Sequence, residues 1–191
     1  GEGRVAIFFK FQLSLGHFRQ NPQIEFEKIS GSDFIYDVCA HAKKTGRKVF
    51  LLGGLEESNT EAKRRLSELF QIEIEAYSPP YAPYPFKPEL NEIILSKLQA
   101  YKPYYLFVGF GAGKQERWIS EHQKELESYG VHLAVGSGGT FEMVAGKLKR
   151  APLFIQKIGL EGVYRFVIEP KWFRLKRLLI SLKIFRYAWM R

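Results

Sequence analysis

The chain has 191 residues, is 46% hydrophobic, and carries a formal net charge of +9 with a single cysteine, Cys39. That length suits one domain with a full core, one cysteine excludes an internal disulfide and fits a reducing compartment, and no apolar run approaches the roughly 20 residues of a membrane span. No signal peptide is visible, the excess of positive charge calls for an acidic partner (nucleic acid, an anionic membrane or a phosphorylated substrate), and a first residue of Gly rather than Met raises the expectation of a piece of a longer protein.

Residues 5–15 are apolar and aromatic, interrupted by Lys10 and Gln12, and suit a buried helix or a strand, of which the helix is preferred; 16–22 is a loop. Ser32 or Asp33 can cap a second helix whose apolar positions 34, 35, 38, 39 and 42 run to a stop at Thr45-Gly46. Residues 48–52 (KVFLL) form a short strand that ends in Gly53-Gly54. A helix over 58–70 shows Ala62, Leu66, Leu69 and Phe70 on one face, and 72–77 alternates as a strand. Five prolines and three aromatics make 78–88 an ordered loop, and a helix over 89–100 stops near Pro103.

The stretch 105–117, YLFVGFGAGKQER, is the centre of the chain. Its apolar run predicts a buried strand, its glycines a tight strand-to-helix turn, and its polar run the first turn of the next helix. Such a turn aims backbone N–H groups and a positive helix dipole at a phosphate. It is not a Walker A loop, because Val108 stands where the first glycine would be and Gln115 follows Lys114. A helix over 118–129, a strand over 131–135, the glycine run 136–139 and a helix from Phe141 follow. Strand, glycines, helix thus recur at 53–54, 109–113 and 136–139. The alternation implies an α/β fold, a parallel-sheet Rossmann-like sandwich with ligands beyond the carboxyl ends of the strands. The division expected is an α/β ligand-binding domain over 1–150 and a C-terminal helical appendage over 151–191.

After Glu169 there is no acidic residue, while Lys171, Arg174, Lys176, Arg177, Lys183, Arg186 and Arg191 are basic. Leu175, Leu178, Leu179, Leu182, Phe185 and Trp189 share one helical face. This basic amphipathic helix has the pattern of a segment lying in an anionic membrane interface; the alternative is a helix packed on the core with a solvated basic face.

Three blocks, VFLLGG at 49–54, FVGFGAGKQERW at 107–118 and GSGGTFEMVAGKLKRAPLFIQKIGLEGVYRFVIEP at 136–170, resemble the WecG/TagA/CpsF glycosyltransferase family. The resemblance implies an inverting, hexosyl-transferring bacterial enzyme that moves a sugar, N-acetylmannosamine-like or glucose-like, from a UDP-sugar to a polyprenyl-diphosphate-linked sugar. It implies work without a metal or other cofactor, in a peripheral position at the cytoplasmic face of the plasma membrane, with products that feed teichoic acid and exopolysaccharide synthesis. Release of a diphosphate needs N–H groups and cations aimed at the developing charge, which glycine turns and Arg or Lys supply.

The resemblance also implies roles. Gln115 matches a substrate-contacting glutamine, Arg165 an appendage arginine that stabilises the diphosphate, and Glu2 an aspartate general base. Those three are the candidate catalytic residues. The candidate substrate-binding residues are Lys28, Gly53, Gly54, Gly109, Gly111, Gly136, Gly138, Gly139, Arg150, Arg174 and Arg177, with no metal ligands. Glu142 stands at another family aspartate and is read as a helix cap. Glu2 for Asp and Lys28 for Arg depart from the family pattern, Trp172 and Leu175 replace later arginines, and the upstream βα segment with a Thr and an Asn of the site is not in the sequence. These departures keep a second reading open: a catalytically impaired member that binds nucleotide-sugar or lipid, or partners another subunit. The aromatic N-terminus (Phe8, Phe9, Phe11, Phe18) leaves room for a homo-oligomer or a partner subunit. Nucleic acid is not the expected partner, because the basic residues gather in the amphipathic tail and no DNA- or RNA-binding motif occurs.

Overall fold

Two apolar runs, VFLLG and YLFVG, have no polar face to offer water, and both become central strands whose residues are buried almost throughout. The structure, a computed structural model, describes residues 6–8, 31–147, 164 and 167. Its elements in chain order are β1 (Ala6–Phe8), α1 (Gly31–Thr45), β2 (Val49–Gly53), α2 (Glu56–Phe70), β3 (Ile74–Tyr77), α3 (Pro88–Tyr101), β4 (Tyr105–Gly109), α4 (Lys114–Glu121), α5 (Gln123–Ser128), β5 (Leu133–Gly136) and α6 (Thr140–Val144). Residues 6–8 and 31–147 belong to one compact unit; Tyr164 and Val167, both helical, belong to a second.

The five strands form one sheet in the order β1-β5-β4-β2-β3, and every pairing is parallel. Register sets Val49 beside Tyr105 and Leu51 beside Phe107 on one face, and Phe50 beside Leu106 and Leu52 beside Val108 on the other. The first face packs against Ile35, Val38, Cys39 and Ala42 of α1, Ala62 and Leu66 of α2, and Phe141 and Val144 of α6. The second packs against Ile94 and Leu98 of α3, Trp118 and Ile119 of α4, and Leu126 of α5. The result is the three-layer α/β sandwich expected of alternating strands and helices.

This topology positions the site. The chain runs outward from β2 to β3, then returns past β2 to lay down β4, so sheet order reverses between β2 and β4. The helices that follow these two strands cover opposite faces. Ligands of open α/β sheets bind at such a switch point, beyond the carboxyl ends of the strands. All three glycine turns lie on that edge.

Several elements depart from the sequence reading. The helix preferred over 5–15 gives way to a strand at Ala6–Phe8, because parallel pairing with residues 133–135 of β5 satisfies its backbone. Helix α1 starts at Gly31, so Ser32 and Asp33 lie within its first turn. Strand β3 begins at Ile74, after α2 ends with Gln71 in the left-handed region (φ 55). The helix expected over 118–129, with 114–117 as its first turn, does start at Lys114 but breaks at His122, whose N–H still donates to Trp118 O at 3.1 Å. In α2 the fully buried stripe is Ser58, Asn59, Ala62 and Leu66, while Leu69 is exposed. The membrane-contact helix expected over the C-terminal tail lies outside the described residues. Among those described, no helix is long and apolar enough to cross a membrane.

Candidate functional site

The three glycine turns meet at the carboxyl edge, and each glycine there meets a different demand. Gly54 N–H donates to Gly109 O at 2.9 Å, tying the first turn to the second. A Cβ on Gly54 would lie 2.9 Å from the Phe141 ring and one on Gly109 2.8 Å from it, so Phe141 fills the space between β2 and β4 on that face. A Cβ on Gly53 would meet Phe110 at 2.8 Å. These three glycines make room for the protein's own rings. Gly111 (φ +91) and Gly138 (φ +51) share a positive φ with Gly53 (φ +90) and Gly54 (φ +72), a region that glycine adopts without strain, but differ in that their Cβ positions face open space.

Gln115 links the second turn to the third. It is 3% exposed, and its side chain lies over Gly136, where a Cβ would sit 2.7 Å from Nε2. Its Oε1 accepts the Gly138 N–H at 3.1 Å, and its Nε2 donates to Glu116 Oε1 at 2.9 Å. Glu116 Oε2 accepts the Gly113 N–H at 2.6 Å. Two N–H groups that sequence reasoning offered to a phosphate, those of Gly113 and Gly138, are therefore engaged by side chains of α4.

Buried polar atoms normally find a partner, so those that do not are informative. Among the described residues, four buried side-chain atoms have none: Ser58 Oγ, Asn59 Oδ1, Ser137 Oγ and Glu142 Oε2. All four come from segments that leave the carboxyl ends of β2 and β5. Asn59 is also held on its other side, where Nδ2 donates to Leu51 O and to Ser78 Oγ, each at 3.1 Å, and Ser78 donates to Gly53 O at 3.0 Å. Glu142, read as a helix cap, has one carboxylate oxygen buried without a partner in the third residue of α6, and no side-chain cap bond closes that helix.

The proline-rich loop after β3 forms an aromatic and cationic rim. Phe86 packs edge-on to Phe110, which packs edge-on to the buried Trp118. Lys114 Nζ lies 5.3 Å from the centre of the Tyr81 ring, itself 95% exposed, and the Arg117 guanidinium lies 5.3 Å from that of Tyr84. The Tyr84 hydroxyl bonds Glu121; burial first, then that bond and its negative charge, push the phenol up to about 12. The phenol is therefore neutral over the physiological range. Among the described residues no group of three His, Cys, Asp or Glu side chains is arranged to hold a metal ion.

Of the predicted site residues, Gly53, Gly54, Gly109, Gly111, Gln115, Gly136, Gly138 and Gly139 all lie on this edge, and Gln115 directly contacts Gly136 and Gly138. Glu2, Lys28, Arg150, Arg165, Arg174 and Arg177 lie outside the described residues. Sequence reasoning passed over Ser58, Asn59, Ser137, Phe141 and Glu116. For Ser58 and Asn59 the available signal was polar residues in register with Ala62 and Leu66 on the buried stripe of α2.

Residues 14–191 match the model of the Glycosyl transferase WecG/TagA/CpsF family. The chain belongs to this family. It is 33% identical over 187 residues to the N-acetylglucosaminyldiphosphoundecaprenol N-acetyl-beta-D-mannosaminyltransferases of Staphylococcus aureus strains MRSA252 and NCTC 8325 / PS 47, and 32% identical to that of strain MW2. Each comparison covers 98% of this chain and 65% of the relative, so the chain spans about two-thirds of the length of the curated relatives it matches. For a WecG/TagA/CpsF member, the glycine turns and Gln115 are the part of the motif set whose geometry is described.

Proposed function

We propose that this chain acts as an inverting glycosyltransferase that moves an N-acetylmannosamine-like or glucose-like sugar from a UDP-sugar to a polyprenyl-diphosphate-linked sugar. Membership of the family over 14–191 carries the reading. The names of its relatives supply an acceptor class, N-acetylglucosaminyldiphosphoundecaprenol, and a transferred group, N-acetylmannosaminyl. Unpartnered polar atoms gathered at the switch-point edge support the edge as the substrate site.

In the reaction, an acceptor hydroxyl attacks the anomeric carbon from the face opposite the leaving group. The new C–O bond forms as the bond to the UDP β-phosphate oxygen breaks, and UDP departs with the electron pair. The hydroxyl proton passes to the Glu2 carboxylate, and Arg165, with Arg150, Arg174, Arg177 and Lys28 as further cations, takes up the charge on the diphosphate. These side chains carry that charge in place of a metal ion. The basic tail brings the enzyme to the anionic cytoplasmic leaflet, where the lipid acceptor resides. Products of this kind serve cell-wall teichoic acid or exopolysaccharide synthesis.

The test supplies the purified chain with UDP-N-acetylmannosamine and N-acetylglucosaminyldiphosphoundecaprenol in anionic vesicles, with and without EDTA. A lipid-linked disaccharide and one equivalent of UDP, unchanged by EDTA, are expected. Nucleotide-sugar binding with no product would favour the impaired, subunit-partnering reading that Glu2 and Lys28 motivate. No binding and no product from any UDP-sugar would overturn the proposal.

A further inference from the structure

The orientation of the Gln115 amide follows from what surrounds it. The Gly138 N–H can only donate, so the atom facing it at 3.1 Å is Oε1. A carboxylate can only accept, so the atom facing Glu116 at 2.9 Å is Nε2. The two partners demand the same orientation, and reversing the amide would break both bonds. Glu116 is itself held, because its second oxygen takes the Gly113 N–H at 2.6 Å across the start of α4. A charged acceptor makes both bonds stronger than neutral ones. Nε2 carries two hydrogens, and Glu116 takes one.

We propose that Glu116 is a positioning residue: it locks the Gln115 amide, tied to the Gly138 loop through its oxygen, so that the second Nε2–H stays available to an oxygen of the nucleotide-sugar. The orienting role stands on the geometry alone. Its consequence for turnover rests on the glycosyltransfer reading. Pre-setting a donor in this way matters because an amide that must reorient as substrate arrives loses part of the benefit of its hydrogen bond.

Two measurements test it. The first is the side-chain amide resonance of Gln115 in the folded protein. One Nε2 proton should be shifted downfield and slow to exchange, a signature lost in Glu116→Ala and weakened in Glu116→Gln, whose single amide oxygen can accept from Gln115 or from Gly113 but not from both. The second is turnover in a double-mutant cycle. Glu116→Ala should lower kcat about tenfold with a smaller change in KM, and Glu116→Gln, which keeps one acceptor of the two, should recover only part of that loss. In a Gln115→Ala background Glu116→Ala should lower kcat no further, although loss of the Gly113 bond should still lower the melting temperature. A Gln115 resonance that is the same with and without Glu116, or a tenfold effect that persists in the Gln115→Ala background, would overturn the proposal. If the chain transfers no sugar at all, the functional reading fails separately and the amide resonance still decides the orienting role.

Discussion

Replacing Gly136 by alanine would place a Cβ 2.7 Å from Gln115 Nε2 and 3.1 Å from its Cδ and Cγ. Ordinary contact begins near 3.4 Å, so the amide must retreat by about 0.7 Å. Gly136 pairs with Val108 at the end of β5 and has no left-handed backbone, so the substitution adds no backbone strain. The closest atom is the end of a flexible side chain, so the sheet edge stays in place and Gln115 moves. Overpacking of this kind costs about 1–3 kcal/mol, and a hydrogen bond lost from Gly138 or Glu116 contributes about 1 kcal/mol within that range. For a chain of this size a loss of about 2 kcal/mol lowers the melting temperature by about 4–8 °C. The displaced amide should reduce transfer at least tenfold while circular dichroism shows the fold intact. Calorimetry and the vesicle transfer assay read the two effects. A variant with the melting temperature and turnover of the parent would refute the placement of Gln115 against Gly136 and, with it, the link between the second and third turns.

Trp118→Phe should destabilise the fold by about 1–3 kcal/mol, because the fully buried indole donates to Asn91 Oδ1 at 2.9 Å and phenylalanine leaves that oxygen without a donor; an unchanged urea midpoint would contradict this. Glu61 is held at about 2, below its ordinary 4.5, by hydrogen bonds from Arg64 and then Arg65. A lowered folded value means that its contribution is present above pH 4.5 and is lost as pH falls toward 2. Urea midpoints of Glu61→Gln should lie below those of the parent at neutral pH, converge with them near pH 2, and approach them in high salt, since the group is exposed; parallel curves would contradict this. Burial pushes the Cys39 thiol up to about 12, so at pH 8 a thiol reagent should label it only after denaturation. Rapid labelling of the native chain would show that the packing of α1 on the sheet is wrong.

How much was legible depended on whether a residue's role is local. Residues 48–52 read as a short strand and 105–108 as a buried one, against 49–53 and 105–109 in the structure, because an apolar run closed by glycine has few alternatives in an α/β chain, and parallel pairing follows from the helices between them. The carboxyl-edge site followed from three glycine turns. Strand β1 was not legible, because its state is decided by pairing with β5 more than a hundred residues later, and the local pattern of 5–15 suits a helix as well. Gln115 was singled out by its motif, but its bond to Gly138, 23 residues on, is a tertiary fact. Ser58 and Asn59 read as the polar start of a helix; their register with Ala62 and Leu66 was the one sign that they are buried, while Glu56 and Glu57 beside them are exposed. Glycine itself was ambiguous: Gly54 and Gly109 yield space to Phe141, while the Cβ positions of Gly111 and Gly138 face open space, and nothing adjacent in sequence tells these apart.

The central claim is that a UDP-sugar sits on the carboxyl edge, between the turn after β4 and the loop after β5. The most direct measurement is photo-cross-linking with a reactive UDP analogue, followed by peptide mapping and competition with unlabelled UDP-sugar. Adducts within 110–117 or 136–142 that disappear under competition are the expected result. Adducts confined to the opposite edge, at 43–48 or 102–105, with the same competition, would contradict the account.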